Sequence, residues 1–408
     1  MAFLCFATEV TAAPLEVVPV DGEAFAGELV SVAADRRVTF RVVEQNGPPA
    51  EAGSPTRTLP LEELVRWGHP VAARPQTIVV LADGGRLVTA ADWAGGAAVR
   101  LDGDAMVVLS DTFGEVRLPR AAVRGVVFVH QRHPEERAAL AGRVQSFSGK
   151  KHAIFLTNDD RLVGSVEELA RGSVTIETEA GSAKLPLSRV EAVLLSDSRQ
   201  PSAVSHQPEV VMGMRDGSVV YAVAVRGDEK ELVVELADGV KLLGGGMEDV
   251  VLLQSLGGRF VYLSDLEPAD YRHVPYLNAE WPYQRDRNLL GEPLVVRSKR
   301  YLKGISMHSA GRLTYRLDDA YQRFDAAVAV DDSAGGRGSV TFGVYVLRDG
   351  QWQEAFTSGV VRGGEGPRQV SVDVSGAQGL TLTVDYADRG DEMDRADWLD
   401  ARLVKSRM

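Results

Sequence analysis

One device dominates the first two thirds of this chain: a short apolar strand, a tight polar turn and a second strand. It occurs as "IVVLADGGRLVTAADW" (Ile78–Trp93), "AIFLTNDDRLVGSVEEL" (Ala153–Leu169) and "VVMGMRDGSVVYAVAV" (Val210–Val225). D-G and N-D pairs between apolar runs mark β-hairpins, because Asn, Asp and Gly tolerate the left-handed backbone of a two-residue turn. A second hairpin follows each time: "AMVVLSDTFGEVRLP", "SVTIETEAGSAKLP" and "ELVVELADGVKLL", turning at Phe113-Gly114, Ala180-Gly181 and Asp238-Gly239. Each set then closes with one more apolar strand: "VRGVVFV", "VEAVLLS" or "MEDVVLLQ". A weaker first copy runs from Ala26 to Trp67 and carries a Pro/Gly-rich insertion, "NGPPAEAGSP".

Five short strands per copy suit a small, strongly bent barrel. The strand order, and the "LP" before the closing strand, resemble Sm-like or SH3-like barrels. We expect four such repeats, at 19–70, 75–130, 150–198 and 207–256, standing in a row. Residues 131–149 read as a solvated linker with a short helical pattern after Pro134. His130 and His133 lie there, with no third metal ligand in sight.

The bulk numbers exclude several roles. Net charge is -12, and the most basic piece, Arg297 to Lys303, holds four positive charges in seven residues. A phosphate backbone would be repelled, so no nucleic-acid partner is expected, even though Sm-like barrels invite that reading. A single cysteine, Cys5, permits neither an internal disulfide nor a thiolate zinc site. No run approaches the roughly 20 apolar residues of a membrane span. The start, "MAFLCFATEVTAAPLEVV", reads either as the remnant of a secretory signal or as a frayed N-terminus over residues 1–18. No G-x-S-x-G, HExxH or P-loop occurs, and the expected protein is not an enzyme.

A compositional shift marks a boundary near "SLGGRF" (Ser255–Phe260): nine of the ten tyrosines and three of the five tryptophans follow residue 257. Beyond it, "RLTYRL" and "FDAAVAVDD" alternate strictly. "SVTFGVYVLRDGQWQEAF" (Ser339–Phe356) is a hairpin turning at Asp349-Gly350. Alternation with glycine-rich turns predicts antiparallel sheets packed face to face, a β-sandwich or jelly roll, over residues 258–408. The whole chain is therefore expected to be all-β, with repeated five-stranded barrels followed by a C-terminal jelly roll.

Residues 258 to about 405 resemble a known family. "YLSDLEPADYRHVPYLNAEWPYQRDRNLLGEPLVV", "YLKGISMHSAGRLTYRL", "YQRFDAAVAVDDSAGGRGSVTFGVYV", "SGVVRGGEGPRQVSVDVSGAQGLTLTV" and "DRADWLDARL" together look like an NPCBM domain, a carbohydrate-binding module of the galactose-binding-like jelly-roll type. The resemblance implies glycan binding outside the cytoplasm, of a galactose-type sugar, and no catalysis. It places His308 at the family's usual histidine, where an imidazole can donate and accept at once. Gly311 stands where the family often has serine.

The candidate sugar contacts are His308, Trp398, Asp397, Arg312 and Trp281. For each aromatic or imidazole ring a structural role stands beside the binding one. His308 can cap the next turn, Trp398 can be a packed ring, and Trp281 reads better as a lid over the sandwich than as a platform. On a regular strand Asp397, Leu399, Ala401 and Leu403 share one face, and Trp398, Asp400 and Arg402 the other.

The tail also spaces aspartates at every third residue, from Asp385 to Asp400. That spacing fits no EF-hand. It divides into a strand end (Asp385), a solvated loop (Asp388, Asp391, Asp394) and the final strand. Asp331, Asp332, Asp391 and Asp394 are candidates for a structural calcium, or simply for turn caps. The expected function is a non-catalytic glycan binder whose jelly roll is displayed on barrel modules. The alternatives are a structural protein whose jelly roll has lost sugar binding and docks other extracytoplasmic proteins, or an accessory part of a glycoside hydrolase system.

Overall fold

The computed structural model describes residues 15–43, 54–91, 98–128, 134–170, 172–196, 207–276, 279–318 and 320–406. Cys5, the early signal-like stretch, most of the "NGPPAEAGSP" insertion, and His130 with His133 lie outside them. The fold is nearly all-β, with repeated, strongly bent barrel-like units and a C-terminal jelly roll.

The first and third repeats are five-strand meanders, and in the second and fourth the long second strand is split in two. In the first, Leu15–Pro19 pairs with Phe25–Val32, then Arg37–Val42 and Thr56–Pro60 follow, and Leu64–Gly68 returns to pair with Leu15–Pro19. The third repeat follows the same order from His152–Leu156 to Val190–Leu194. A bulge bends the long second strand at Leu29/Ser31 in the first repeat and at Val166/Glu168 in the third. An extra residue there sharpens the twist and lets a few strands curl around a small core. The fourth and fifth strands are joined by a 3-10 turn, at Leu61–Glu63, Arg120–Ala122, Leu187–Arg189 and Met247–Asp249. In three of the four a proline precedes it, which is the physical content of the "LP" signal.

The repeats do not stand in a row as expected. The closing strand of the first, Leu64–Gly68, pairs with the closing strand of the fourth, Val250–Ser255. That of the second, Val123–Val127, pairs with that of the third. Glycine makes both approaches close: a Cβ on Gly68 or Gly125 would lie 2.0 or 2.2 Å from the carbonyl oxygen of Val251 or Val193. Nor is the segment after Pro134 a solvated linker. It forms a helix, Pro134–Gln145, whose Leu140 and Val144 are buried one turn apart, with Val127 and Leu194 of the two repeats it joins.

The C-terminal sandwich has two sheets. One runs Gln284–Arg285, Gly304–His308, Arg395–Lys405, Tyr321–Val330, Arg368–Asp373, with Phe260–Tyr262 also paired to Arg395–Lys405. The other runs Asp270–His273, Gly311–Arg316, Gly379–Tyr386, Ser339–Arg348, Gln351–Arg362. Between them Tyr315, Phe324, Phe342 and Trp398 are fully buried. Asp349 and Gly350 take φ of 52° and 74°, the left-handed pair that the hairpin needs.

The sandwich sits on the first and fourth repeats. Val20, Val65, Phe260, Tyr262 and Val404 form a small apolar core across the junction. Beside it Arg66 donates to Asp400 at 3.0 Å, and Gln254 donates to the Tyr262 hydroxyl at 2.9 Å and to Asp400 at 3.4 Å. Arg259 and Arg323 both donate to Asp21, at 2.6 and 3.1 Å. Arg66 and Asp400 are only 4% and 6% exposed, so neither charge has water in place of its partner. Removing one partner of such a pair strands the other charge. We expect Arg66→Ala to lower unfolding stability by about 3–5 kcal/mol in denaturant titrations. The double variant Arg66→Met/Asp400→Asn should regain most of that loss.

Candidate functional site

The final strand, Arg395–Lys405, does not alternate as a regular strand would. Asp400 takes φ of 47°, and the pairing with Tyr321–Val330 slips between Asp325 and Ala327. This bulge shifts the parity of everything after it. Ala396, Trp398, Ala401 and Leu403 therefore face the core, while Leu399 and Val404 join clusters outside it. The expected sharing of faces holds up to Leu399 and is reversed beyond it.

Trp398 is a core ring with no exposed surface, 5.2 Å edge-on to Phe342 and 6.0 Å from Phe324. Asp397 is also completely buried, opposite Ser306 and Ala329, beneath the hairpin Leu294–Val296/Lys299–Tyr301. Burial, reinforced by the Asp331 carboxylate, pushes its pKa far above the usual carboxylate range. The Ser306 hydroxyl opposes this shift without cancelling it. Arg312 is exposed on the outer face of the second sheet, in register with Arg272 and Thr383. These three candidates thus lie in three separate places.

The calcium candidates fall into two groups. Asp331 accepts from the Ser333 and Val295 amides at 3.0 and 2.9 Å and from the Asn288 side chain at 3.1 Å. Asp332 accepts from the amides of Arg297 and Ser298, at 3.0 and 2.8 Å. Those two residues have φ of 52° and 61°, so Asp332 caps the tight turn of the covering hairpin. Among the described residues no group of three or more His, Cys, Asp or Glu is placed to hold a metal ion.

The other group lies at one end of the sandwich, where the remaining candidates meet. His308 ends the strand Gly304–His308 and is 6% exposed. The Trp281 indole stacks on it, 5.2 Å between centroids with planes 6° apart, and His273 meets it edge-on at 5.8 Å. Trp281 is held through its backbone: its amide donates to His273 Nδ1 at 3.3 Å, and its carbonyl accepts from the Tyr271 hydroxyl at 2.6 Å. Gly311 is required here, because a Cβ would come within 2.7 Å of the His308 carbonyl oxygen. Burial first, then His273, lowers the His308 pKa, so the ring is neutral near pH 7 and can both donate and accept.

Two carboxylates complete this end. Asp391 is half-buried, and its charge is felt by both His308 and Asp394. Asp394, expected in a solvated loop, is 1% exposed. Its Oδ1 accepts from the Ser339 amide at 2.9 Å. Burial pushes its pKa up to about 6, against the opposing pull of the Ser339 amide and the Ser309 hydroxyl. His273 and Tyr271 escaped the sequence reading. They sit on a strand that reaches His308 only through sheet pairing, and no local spacing announces it.

Residues 259–404 match the family model described as NPCBM/NEW2 domain. "Alpha-1,3-galactosidase B" of Akkermansia muciniphila is 31% identical over 119 residues, which is 28% of this chain and 14% of that protein. A candidate endo-alpha-N-acetylgalactosaminidase of Renibacterium salmoninarum is 28% identical over 116 residues, 28% of this chain and 7% of that one. The chain thus spans a small part of the length of either curated relative. Among solved structures, CBM51 from Clostridium perfringens GH95, in complex with methyl-galactose, shares 28% identity over 36% of this chain and 99% of its own, with a TM-score of 0.31.

The Asp394 geometry has a measurable consequence. Its folded pKa lies above the unfolded value, so the stability it contributes is full at low pH and is lost as pH rises through about 6. Asp394→Asn keeps an acceptor for the Ser339 amide and removes the charge. We expect it to raise unfolding stability at pH 7 by roughly 1–3 kcal/mol and to have little effect at pH 4, as read from melts across that range.

Proposed function

Given that residues 259–404 are an NPCBM/NEW2 domain, we propose that this protein is a non-catalytic glycan binder. It takes a galactose-type sugar at the end of the sandwich that holds His273, Trp281 and His308. The observation that carries this reading is the indole stacked on a neutral imidazole, with a second imidazole edge-on and the Asp391 carboxylate nearby. An aromatic ring offers a surface for the apolar face of a pyranose, while imidazole and carboxylate offer donors and acceptors for its hydroxyls. The galactosidase name of the Akkermansia muciniphila relative supports the choice of sugar.

In this reading the four repeats hold the sandwich at a fixed angle, and their outer surfaces are free to meet other proteins outside the cytoplasm. The protein acts as an accessory to enzymes that cleave glycans, without cleaving them itself. No helix among the described residues is long and apolar enough to cross a membrane.

The low exposure of His308 favours a second reading, in which the same end of the sandwich is closed to sugars and the domain serves only to dock a partner. Titration calorimetry of the full chain separates the two. We expect methyl galactoside to bind and methyl glucoside to bind more weakly. His308→Ala and Trp281→Ala should each weaken the galactoside by about tenfold or more, while the folded variants still melt cooperatively. Absence of heat with every neutral galactoside would establish the docking reading instead.

A further inference from the structure

Among the described residues few large apolar side chains are exposed, and three of those eight gather at the His308 end of the sandwich: Val274, Tyr276 and Tyr386, at 54%, 65% and 48%. The two tyrosine rings lie edge to face, 6.3 Å between centroids and 79° apart. Both are continuous with the site above. Tyr276 follows the strand Asp270–His273, and the Val274 amide is bonded to the carbonyl of Ala310, in the turn directly after His308 and Ser309. Tyr386 ends the strand Gly379–Tyr386 opposite Val340. The next two amides, of Ala387 and Asp388, donate to the carbonyl and the hydroxyl of Ser339, whose own amide is held by Asp394. Two separate stretches of chain thus deliver a ring each to the rim of one site.

Resting on the glycan reading of that site, we infer that Tyr276 and Tyr386 form a second subsite for the next sugar ring of the same ligand. The preferred ligand is then an oligosaccharide carrying galactose at its end, rather than a lone terminal residue. Exposed aromatic rings are unfavourable in water unless something covers them, and a pyranose presents an apolar face of the right size. Among the described residues neither phenol hydroxyl has a hydrogen-bond partner, so each is available to a sugar hydroxyl. The pair is also polar at its tips and rigid at low entropic cost, since a tyrosine has two side-chain torsions to fix.

The test is calorimetry on the full chain with methyl galactoside and a panel of disaccharides that carry galactose at the non-reducing end. We expect at least one disaccharide to bind about tenfold more tightly than methyl galactoside. The double variant Tyr276→Ala/Tyr386→Ala should abolish that gain and leave methyl galactoside unchanged. The matching Tyr→Phe pair should keep most of it if stacking supplies the energy. If no disaccharide exceeds methyl galactoside, or if the alanine pair keeps the gain, the subsite is wrong while the primary site stands. If neither sugar class binds, both readings fall. Capture of a peptide or protein that the tyrosine variants abolish would assign the same rings to a docking surface and overturn the inference.

Discussion

The contact between Arg66 and Asp400 joins the two halves of the molecule. A guanidinium out of water is tolerable only beside a carboxylate, and the carboxylate only beside the guanidinium. Burial works against the Arg66 charge, yet the pull of Asp400 holds its pKa above the usual value. His69 completes the arrangement. Its Nε2 accepts from Arg66 at 2.9 Å and its Nδ1 donates to the Arg300 carbonyl at 3.0 Å, so it must be neutral. Burial and the adjacent Arg66 push its pKa down to about 3. The bulge at Asp400 makes this possible, because it turns that side chain out of the sandwich and toward the repeats.

Much of the architecture was legible, and the reason is local. A D-G pair between alternating strands allows one economical turn, and Asp349-Gly350 adopts it. The proline before the closing strand sits where the chain must leave an extended run and enter a 3-10 turn. Other features are invisible locally. Nothing in "ADWLDA" announces that a non-glycine residue takes a positive φ at Asp400, and one inserted residue reverses every later side chain. The repeats resemble one another too closely for the sequence to say which pairs with which.

The candidate site was legible only as scattered letters. His308 and Trp281 could each be marked, but their stacking depends on Tyr271 and His273, which come from a neighbouring strand. Asp394 belonged by spacing to a series of six aspartates. Its position among them means little; what fixes its carboxylate is the Ser339 amide, brought in from another hairpin. The even spacing has no structural unity, since Asp388 pairs with exposed Arg362, Asp397 is completely buried in the sandwich, and Asp400 bridges the two halves.

The pairing of closing strands also orders events in time. Trp67 faces Leu253, so the first repeat to leave the ribosome meets its partner only after the other three have been made. Contacts that close such long loops form slowly. The second and third repeats are neighbours in the chain, and their closing strands pair across a much shorter loop. The open edge of the first repeat is covered only by a strand nearly two hundred residues away, so the integrity of that edge depends on the fourth repeat being present.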